Sequence, residues 1–146
     1  MYRLIAGLCM LILFAGLVQA QSRLSIRAAS AEQVQGWAQM ELDGKSVWVA
    51  PTASLTASDI ARAQAITRPD GKRAISMELT DSGSEKMRAL SKSQMDKLVA
   101  MVFEDKLIWA PRVRSEIGKQ LVLTGNSPNG LSDSDIQRIL ANIGPR

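Results

Sequence analysis

Only a few side chains in this sequence have the type and spacing that chemistry would need, and they are carboxylates. Glu104 and Asp105 could form one half of a carboxylate pair for acid/base work. A polar hairpin tip explains them without chemistry, and nothing selects a partner. Asp133 and Asp135 suggest a calcium loop, but the Gly and Glu that such a loop needs are missing, so capping of a helix is the preferred interpretation.

Composition excludes several further classes of site. The chain has no histidine, and its single cysteine, Cys9, lies in the apolar N-terminal segment. Without that segment, zinc sites built on Cys or His, Cys nucleophiles, Ser–His triads and disulfides are all excluded. The Asp-Gly-Lys triplets at 43–45 and 70–72 are turns and not phosphate loops. We therefore expect no catalytic residue, no metal and no cofactor. A hydrolase using only carboxylates and hydroxyls would need clustered Asp and Glu, which the sequence gives no reason to expect.

The first 20 residues are typical of a secretory signal peptide. Met1–Arg3 is a short basic head, Leu4–Val18 is apolar, and small residues lead to a cleavage site after Ala20. Cleavage before Gln21 leaves residues 21–146 as one mature domain, in the periplasm or secreted. If the segment stays uncleaved, it anchors the chain in the inner membrane, although it is shorter than the ~20 residues of a spanning helix.

The charge of the chain is mildly positive and evenly spread. The sequence has 18 Lys and Arg against 14 Asp and Glu, and Arg3 is the only charge in the predicted signal peptide, so the mature net charge is +3. No basic run is present. This pattern indicates a solvated surface and argues against nucleic acid as a partner.

One apolar stretch is predicted to be the centre of a sheet. Leu98–Phe103 is unbroken, Glu104–Lys106 interrupts it, and Leu107–Ala110 resumes it before Pro111. An unbroken run favours a strand covered on both faces, and the interruption favours a tight hairpin, although the usual Gly is missing. Proline lacks an amide donor, so the second strand should end there or turn onto an edge.

The remaining pattern predicts an α+β fold with a mixed, mostly antiparallel sheet and about three helices packed on one face. Strands are predicted at Arg23–Arg27, on both sides of Asp43-Gly44, at Ala74–Leu79 and at Gln120–Thr124. Helices are predicted at Ala57–Ile66 after Thr56, after Thr80 with Met87 and Leu90 on one side, and after Ser132 with Ile136, Ile139, Leu140 and Ile143.

Three ordered motifs in this chain resemble the head part of the large first periplasmic domain of SecD and SecDF protein-export proteins. They are a strand, Leu-Thr, two polar residues, Gly and a helix; a strand, acidic turn, strand and Ala-Pro; and a strand, Thr-Gly and a capped helix. The matching positions are Leu79, Thr80, Gly83, Ala110, Pro111, Ile117, Thr124 and Gly125. The capped helix expected at Thr56–Ala63 also resembles that family, whereas the turn at Glu104–Lys106 lacks its usual Gly.

The resemblance implies a non-catalytic exported domain that is accessory to protein export. Its partners would be unfolded or extended polypeptides, or an envelope or membrane protein, bound at a sheet edge or an apolar patch. These 146 residues do not include the base domain or the charged membrane helices of SecD, so the resemblance does not imply an energy-coupling role. A structural docking subunit of an envelope membrane complex stays open as the alternative.

The aromatic and Met residues have two interpretations. Trp37, Trp48 and Trp109 could line a groove for an apolar segment of a client, although Trp48 and Trp109 lie on predicted strands, where core packing is favoured. The methionines could form an adaptable surface, but their spacing favours core packing. They are Met40, Met77, Met87, Met95 and Met101.

Overall fold

A computed structural model describes residues 23–125 and 130–144 of the chain. The predicted signal peptide and its cleavage site, Ala20 and Gln21, lie outside the described residues. The described strands are β1 (Leu24–Ser30), β2 (Ala38–Leu42), β3 (Lys45–Val49), β4 (Leu55–Thr56), β5 (Ile60–Thr67), β6 (Arg73–Leu79), β7 (Leu98–Phe103), β8 (Lys106–Trp109) and β9 (Gln120–Leu123). A 3₁₀ turn spans Ala57–Asp59, and the helices are α1 (Asp81–Ser93) and α2 (Asp133–Ile143).

The strands form two antiparallel sheets where one was expected. The larger sheet has the order β2-β3-β1-β7-β8, and β4 pairs with β1 next to β3. The smaller sheet has the order β5-β6-β9. The apolar run of β7 is an interior strand covered on both faces, as its sequence predicts, but the middle strand of the larger sheet is β1.

Both predicted hairpin turns are two residues long. Asp43 and Gly44 have φ values of 52° and 76°, and Glu104 and Asp105 have φ values of 51° and 62°. Positive φ at both central residues is the geometry of the type I′ turn, which matches the twist of the flanking strands. At the second turn the twist of the sheet imposes this geometry on two residues that are not glycine.

The helix predicted at Ala57–Ile66 is wrong, so the described residues contain two α-helices and not three. Only Ala57–Asp59 turns, and β5 follows as a strand with β6 as its antiparallel partner. The sequence of β5 alternates Ala with polar residues, and Ala63 and Ala65 pack against the main core. Pairing with β6 satisfies the backbone of this segment, and this tertiary context overrides the high helix propensity of its alanines.

The two remaining helices begin where the sequence predicts. Thr80 Oγ1 accepts a hydrogen bond from Gly83 N at 2.9 Å, and Ser132 Oγ accepts one from Asp135 N at 3.1 Å. These bonds satisfy amides that the first turn of a helix leaves open. On α2 the buried side chains are Ile136, Ile139 and Ile143.

Apolar side chains form a main core and a smaller second core. The main core takes buried residues from both sheets and both helices. The larger sheet curls so that β2 lies beside β8, and its inner concave face encloses the second core. The buried residues of that second core are Ala29, Val47, Val49, Ala100, Val102 and Leu107.

Candidate functional site

The main core opens to the surface at one apolar cavity of about 250 Å³, which we call the notch. Buried core side chains form its floor, namely Ile26 of β1, Met87 of α1, and Val99 and Met101 of β7. Its mouth is formed by Trp109 of β8, Leu121 of β9 and the connecting residues 111–115 and 117. The notch therefore joins the larger sheet, the smaller sheet and α1.

Alternation along two strands explains why the floor is apolar. Ile26 on β1 lies opposite Met101 on β7, and their side chains share the face of the sheet that carries the main core. On β8, Leu107 pairs with Val102 and Trp109 pairs with Met101, so Ile108 is an extra residue in the ladder. This bulge turns Trp109 toward the same face as Met101, where it reaches the notch.

Residues 110–117, which follow β8, form one wall of the notch. This segment has no regular partner strand and is held by single hydrogen bonds. Val99 N donates to Pro111 O at 3.0 Å, and Val113 N donates to Lys97 O at 2.8 Å. Ile117 N donates to Ser91 Oγ at 3.0 Å, and Ser91 is fully buried. The wall is therefore fixed at both ends against α1 and the strand that follows it.

The rim of the notch is basic. Val113 is buried, whereas its neighbours Arg112 and Arg114 are exposed. Arg112 Nη1 donates to the backbone carbonyl of Asp96. Arg114 has no hydrogen bond or ion pair with any described residue. Both guanidinium groups at the mouth are thus without a carboxylate partner in the described part of the chain.

The structure brings three of the predicted residues together at the notch, namely Trp109, Pro111 and Ile117. Trp48 lies on β3 opposite Gln39, turned away from the second core, and Trp37 precedes β2; neither lines the notch. Trp109 is half-buried and packs against the main core as well as lining the mouth. Core packing is thus confirmed for part of Trp109, and contact with a client stays a prediction.

The methionines divide between core and surface. Met77, Met87 and Met101 are buried in the main core, and Met40 packs against the second core. Met95, in the turn after α1, is 38% exposed. Met87 and Met101 also form part of the notch floor, so two flexible side chains line this cavity.

Most of the positions that carry the family motifs have structural roles. Leu79 is fully buried, Thr80 caps α1, and Gly83 lies against the backbone of Asp59. Ala110 packs on the second core. Thr124 and Gly125 follow β9, and a Cβ on Gly125 would lie 2.9 Å from Leu131 Cδ2.

Two of the four carboxylates that could have suggested chemistry form ion pairs with arginines. Glu104 accepts a hydrogen bond from Arg23 Nη1 at 3.3 Å and pairs with Arg138. Asp133 pairs with Arg73 at 3.2 Å at the start of α2. Within residues 23–125 and 130–144, no cluster of three or more His, Cys, Asp or Glu could hold a metal ion.

Sequence reasoning missed Met87, Leu121 and the arginine pair as parts of one site. Met87 and Leu121 reach the notch from elements far apart in the chain, which no local pattern reveals. The sequence did contain a pattern that indicates the arginine pair. In Arg-Val-Arg the two arginines are alternate residues, and alternate residues of an extended segment point to the same side.

The family model for the SecDF P1 head subdomain matches residues 31–133. This match covers most of the chain. The chain belongs to the SecDF P1 head family. No curated protein matches it.

Two solved structures have the same fold as this P1 head. A crystal structure of SecDF in its super-membrane-facing form superposes with a TM-score of 0.62 at 20% identity, over 84% of this chain and 18% of that one. A structure of SecDF, described as a membrane component that enhances protein export, superposes with a TM-score of 0.62 at 19% identity, over 84% of this chain and 61% of that one. This P1 head thus corresponds to only part of each. Among its described residues, no helix has the length and hydropathy to cross a bilayer.

Proposed function

We propose that this P1 head is a non-catalytic domain of the bacterial envelope that assists protein export by holding extended polypeptides. The observation that carries this proposal is the notch, an apolar cavity that has buried core residues at its floor and half-buried Trp109 at its mouth. Apolar side chains exposed on an exported chain before it folds are suited to such a cavity.

The size of the notch favours a single side chain over a small molecule. Its volume of about 250 Å³ is below the ~300–1,000 Å³ of most small-molecule sites. Burial of one large apolar side chain contributes about 1.5–3 kcal/mol, less than the ~4 kcal/mol of a millimolar complex. Further contacts along the polypeptide are therefore required, and the complex should be short-lived, as suits a chain in transit.

Two further observations support a role in export. The solved SecDF described as enhancing protein export contains this fold. The N-terminal 20 residues have the composition of a signal peptide, which would deliver the domain to the periplasm.

The second candidate function is docking onto an envelope protein through the outer face of the smaller sheet. Glu78 on β6 lies 3.3 Å from Arg62 on β5 and 3.8 Å from Lys119, which also lies 3.5 Å from Asp81. Val122 on the same face is 41% exposed. A face of paired charges around an exposed valine suits one defined partner better than many clients.

Photo-crosslinking from single positions in intact cells distinguishes the two candidates. A crosslinking residue replaces the exposed Ser115 at the rim of the notch in one variant and Gln64 on the outer face of the smaller sheet in the other. We expect the Ser115 position to capture many exported proteins, and an unfolded competitor polypeptide to reduce that capture. A single stoichiometric partner captured from Gln64 alone would support docking instead. Capture from neither position at native abundance would overturn both candidates.

A further inference from the structure

We infer that the notch selects polypeptide segments in which a bulky apolar residue is flanked by Asp or Glu. This inference rests on the proposed function and deepens it, because it assigns the chemistry of the occupant. Its basis is the pair of arginines at the rim, Arg112 and Arg114, which flank buried Val113 on the wall of the notch.

These two arginines differ from most other described arginines in that no carboxylate in the described part of the chain pairs with them. Six of the nine described arginines pair with a carboxylate, namely Arg23, Arg62, Arg68, Arg73, Arg88 and Arg138. Half-buried Arg27 donates to the carbonyls of Ala50 and Pro51. Arg112 and Arg114 are therefore the described exposed arginines that lack a carboxylate, and both lie at the mouth of the notch.

The nearest carboxylate on the wall is already engaged. The carboxylate of Glu116 lies 3.8 Å from Arg88 Nε and 3.8 Å from Lys92 Nζ, so it forms ion pairs with two cations of α1. Asp96 contributes its backbone carbonyl to Arg112. The rim thus keeps an excess of positive charge beside an apolar cavity, and the complementary occupant combines an apolar group with a carboxylate.

The spacing of the rim charges favours a polypeptide over a small amphiphile. Alternate residues of an extended segment lie about 7 Å apart on the same side. Arg112 and Arg114 are such alternate residues, on either side of buried Val113. An extended polypeptide with its apolar residue in the notch places the two flanking side chains at the same interval, one near each guanidinium group.

Three labelled peptides test this inference on the purified full chain by fluorescence anisotropy at low ionic strength. They share a Gly/Ser frame and carry Asp-Phe-Asp, Lys-Phe-Lys or Asp-Ser-Asp at the centre. We expect Asp-Phe-Asp to bind about tenfold more tightly than Lys-Phe-Lys, since each exposed charge pair contributes modestly. The Arg112→Gln/Arg114→Gln variant should remove most of that preference, as should 0.5 M salt. The matched control, Arg62→Gln/Arg68→Gln, removes two arginines away from the notch and should keep it.

The outcomes separate the two levels of the proposal. Equal binding of both Phe peptides, with Asp-Ser-Asp weaker, would overturn the charge rule and leave the proposed function standing. Binding of Asp-Phe-Asp no tighter than Asp-Ser-Asp would overturn the proposed function itself. Displacement of Asp-Phe-Asp by decanoate at equal concentration would assign the notch to a carboxylate amphiphile and overturn the inference for polypeptides.

Discussion

Gly83 of α1 lies so close to the backbone of Asp59 that a Cβ on the glycine would approach the Asp59 carbonyl oxygen to 2.4 Å. Thr80 N also donates to that carbonyl at 2.9 Å. The first turn of α1 is therefore packed directly onto the 3₁₀ turn, and the missing side chain of Gly83 makes this contact possible.

Gly83→Ala should destabilise the domain by about 1–3 kcal/mol, the usual cost of overpacking. On an exposed helix the same change stabilises by up to ~1 kcal/mol, so the expected sign is reversed here. Urea unfolding measures the difference. The matched control is Gly118→Ala, where the nearest atom to a new Cβ is Arg88 Nε at 4.0 Å, and it should stay within about 0.5 kcal/mol of the parent. A neutral Gly83→Ala would contradict the close contact.

Ile117→Phe should occupy the notch from its own wall. The added ring can enter the apolar cavity, so stability should be unchanged or rise by up to about 1 kcal/mol. Affinity for the Asp-Phe-Asp peptide should fall at least tenfold, as measured by anisotropy. Val122→Phe adds a similar volume on the outer face of the smaller sheet and should leave affinity unchanged. Full peptide affinity in Ile117→Phe would exclude the notch as the binding site.

Ser91→Ala should loosen the wall of the notch. The buried hydroxyl accepts from Ile117 N, and its loss leaves an amide without a partner at a cost of about 1–3 kcal/mol. Hydrogen exchange of the Ile117 amide should accelerate together with the drop in unfolding free energy. Ser93→Ala removes an exposed hydroxyl that bonds Leu90 O and should change neither quantity appreciably. Unaltered exchange at Ile117 would show that other contacts hold the wall.

In the two type I′ turns, introducing a glycine should raise stability and removing one should lower it. Asp105 has φ 62° and Gly44 has φ 76°. Asp105→Gly should stabilise by about 1 kcal/mol because glycine adopts positive φ without strain, and Gly44→Ala should cost a similar amount. Thermal unfolding of both variants provides the comparison. If both substitutions shift the melting temperature in the same direction, turn strain does not govern these hairpins.

The sequence predicts the elements of this fold where local chemistry and tertiary packing agree. The β7–β8 hairpin, α1 after Thr80 and α2 after Ser132 all combine a periodic apolar pattern with a turn or cap signal. At β5 the two disagree, because a good N-terminal cap precedes a segment of small residues that is also compatible with a strand. The hydrogen bonds of β6 decide that case, and they come from residues that follow in the chain.

The candidate site is less accessible to sequence reasoning than the fold. Trp109, Pro111 and Ile117 are named by aromatic character and by the family motifs, and all three line the notch. Its floor is formed by residues as distant as Ile26 and Met87, which look like ordinary core positions. A cavity forms where side chains from different elements leave space between them. Its position therefore depends on the three-dimensional arrangement of the elements, which the sequence pattern does not give.

The curl of the larger sheet affects how strongly this domain resists aggregation at high concentration. Because β2 lies beside β8, the two terminal strands of the sheet shield each other. Unprotected strand edges are the usual starting points of fibrils and domain swapping. If the β2–β3 hairpin detaches from β8, the edges of both β2 and β8 become available for pairing with another molecule. The stability of the contact between this hairpin and β8 should therefore control how readily the domain aggregates under heat or shear.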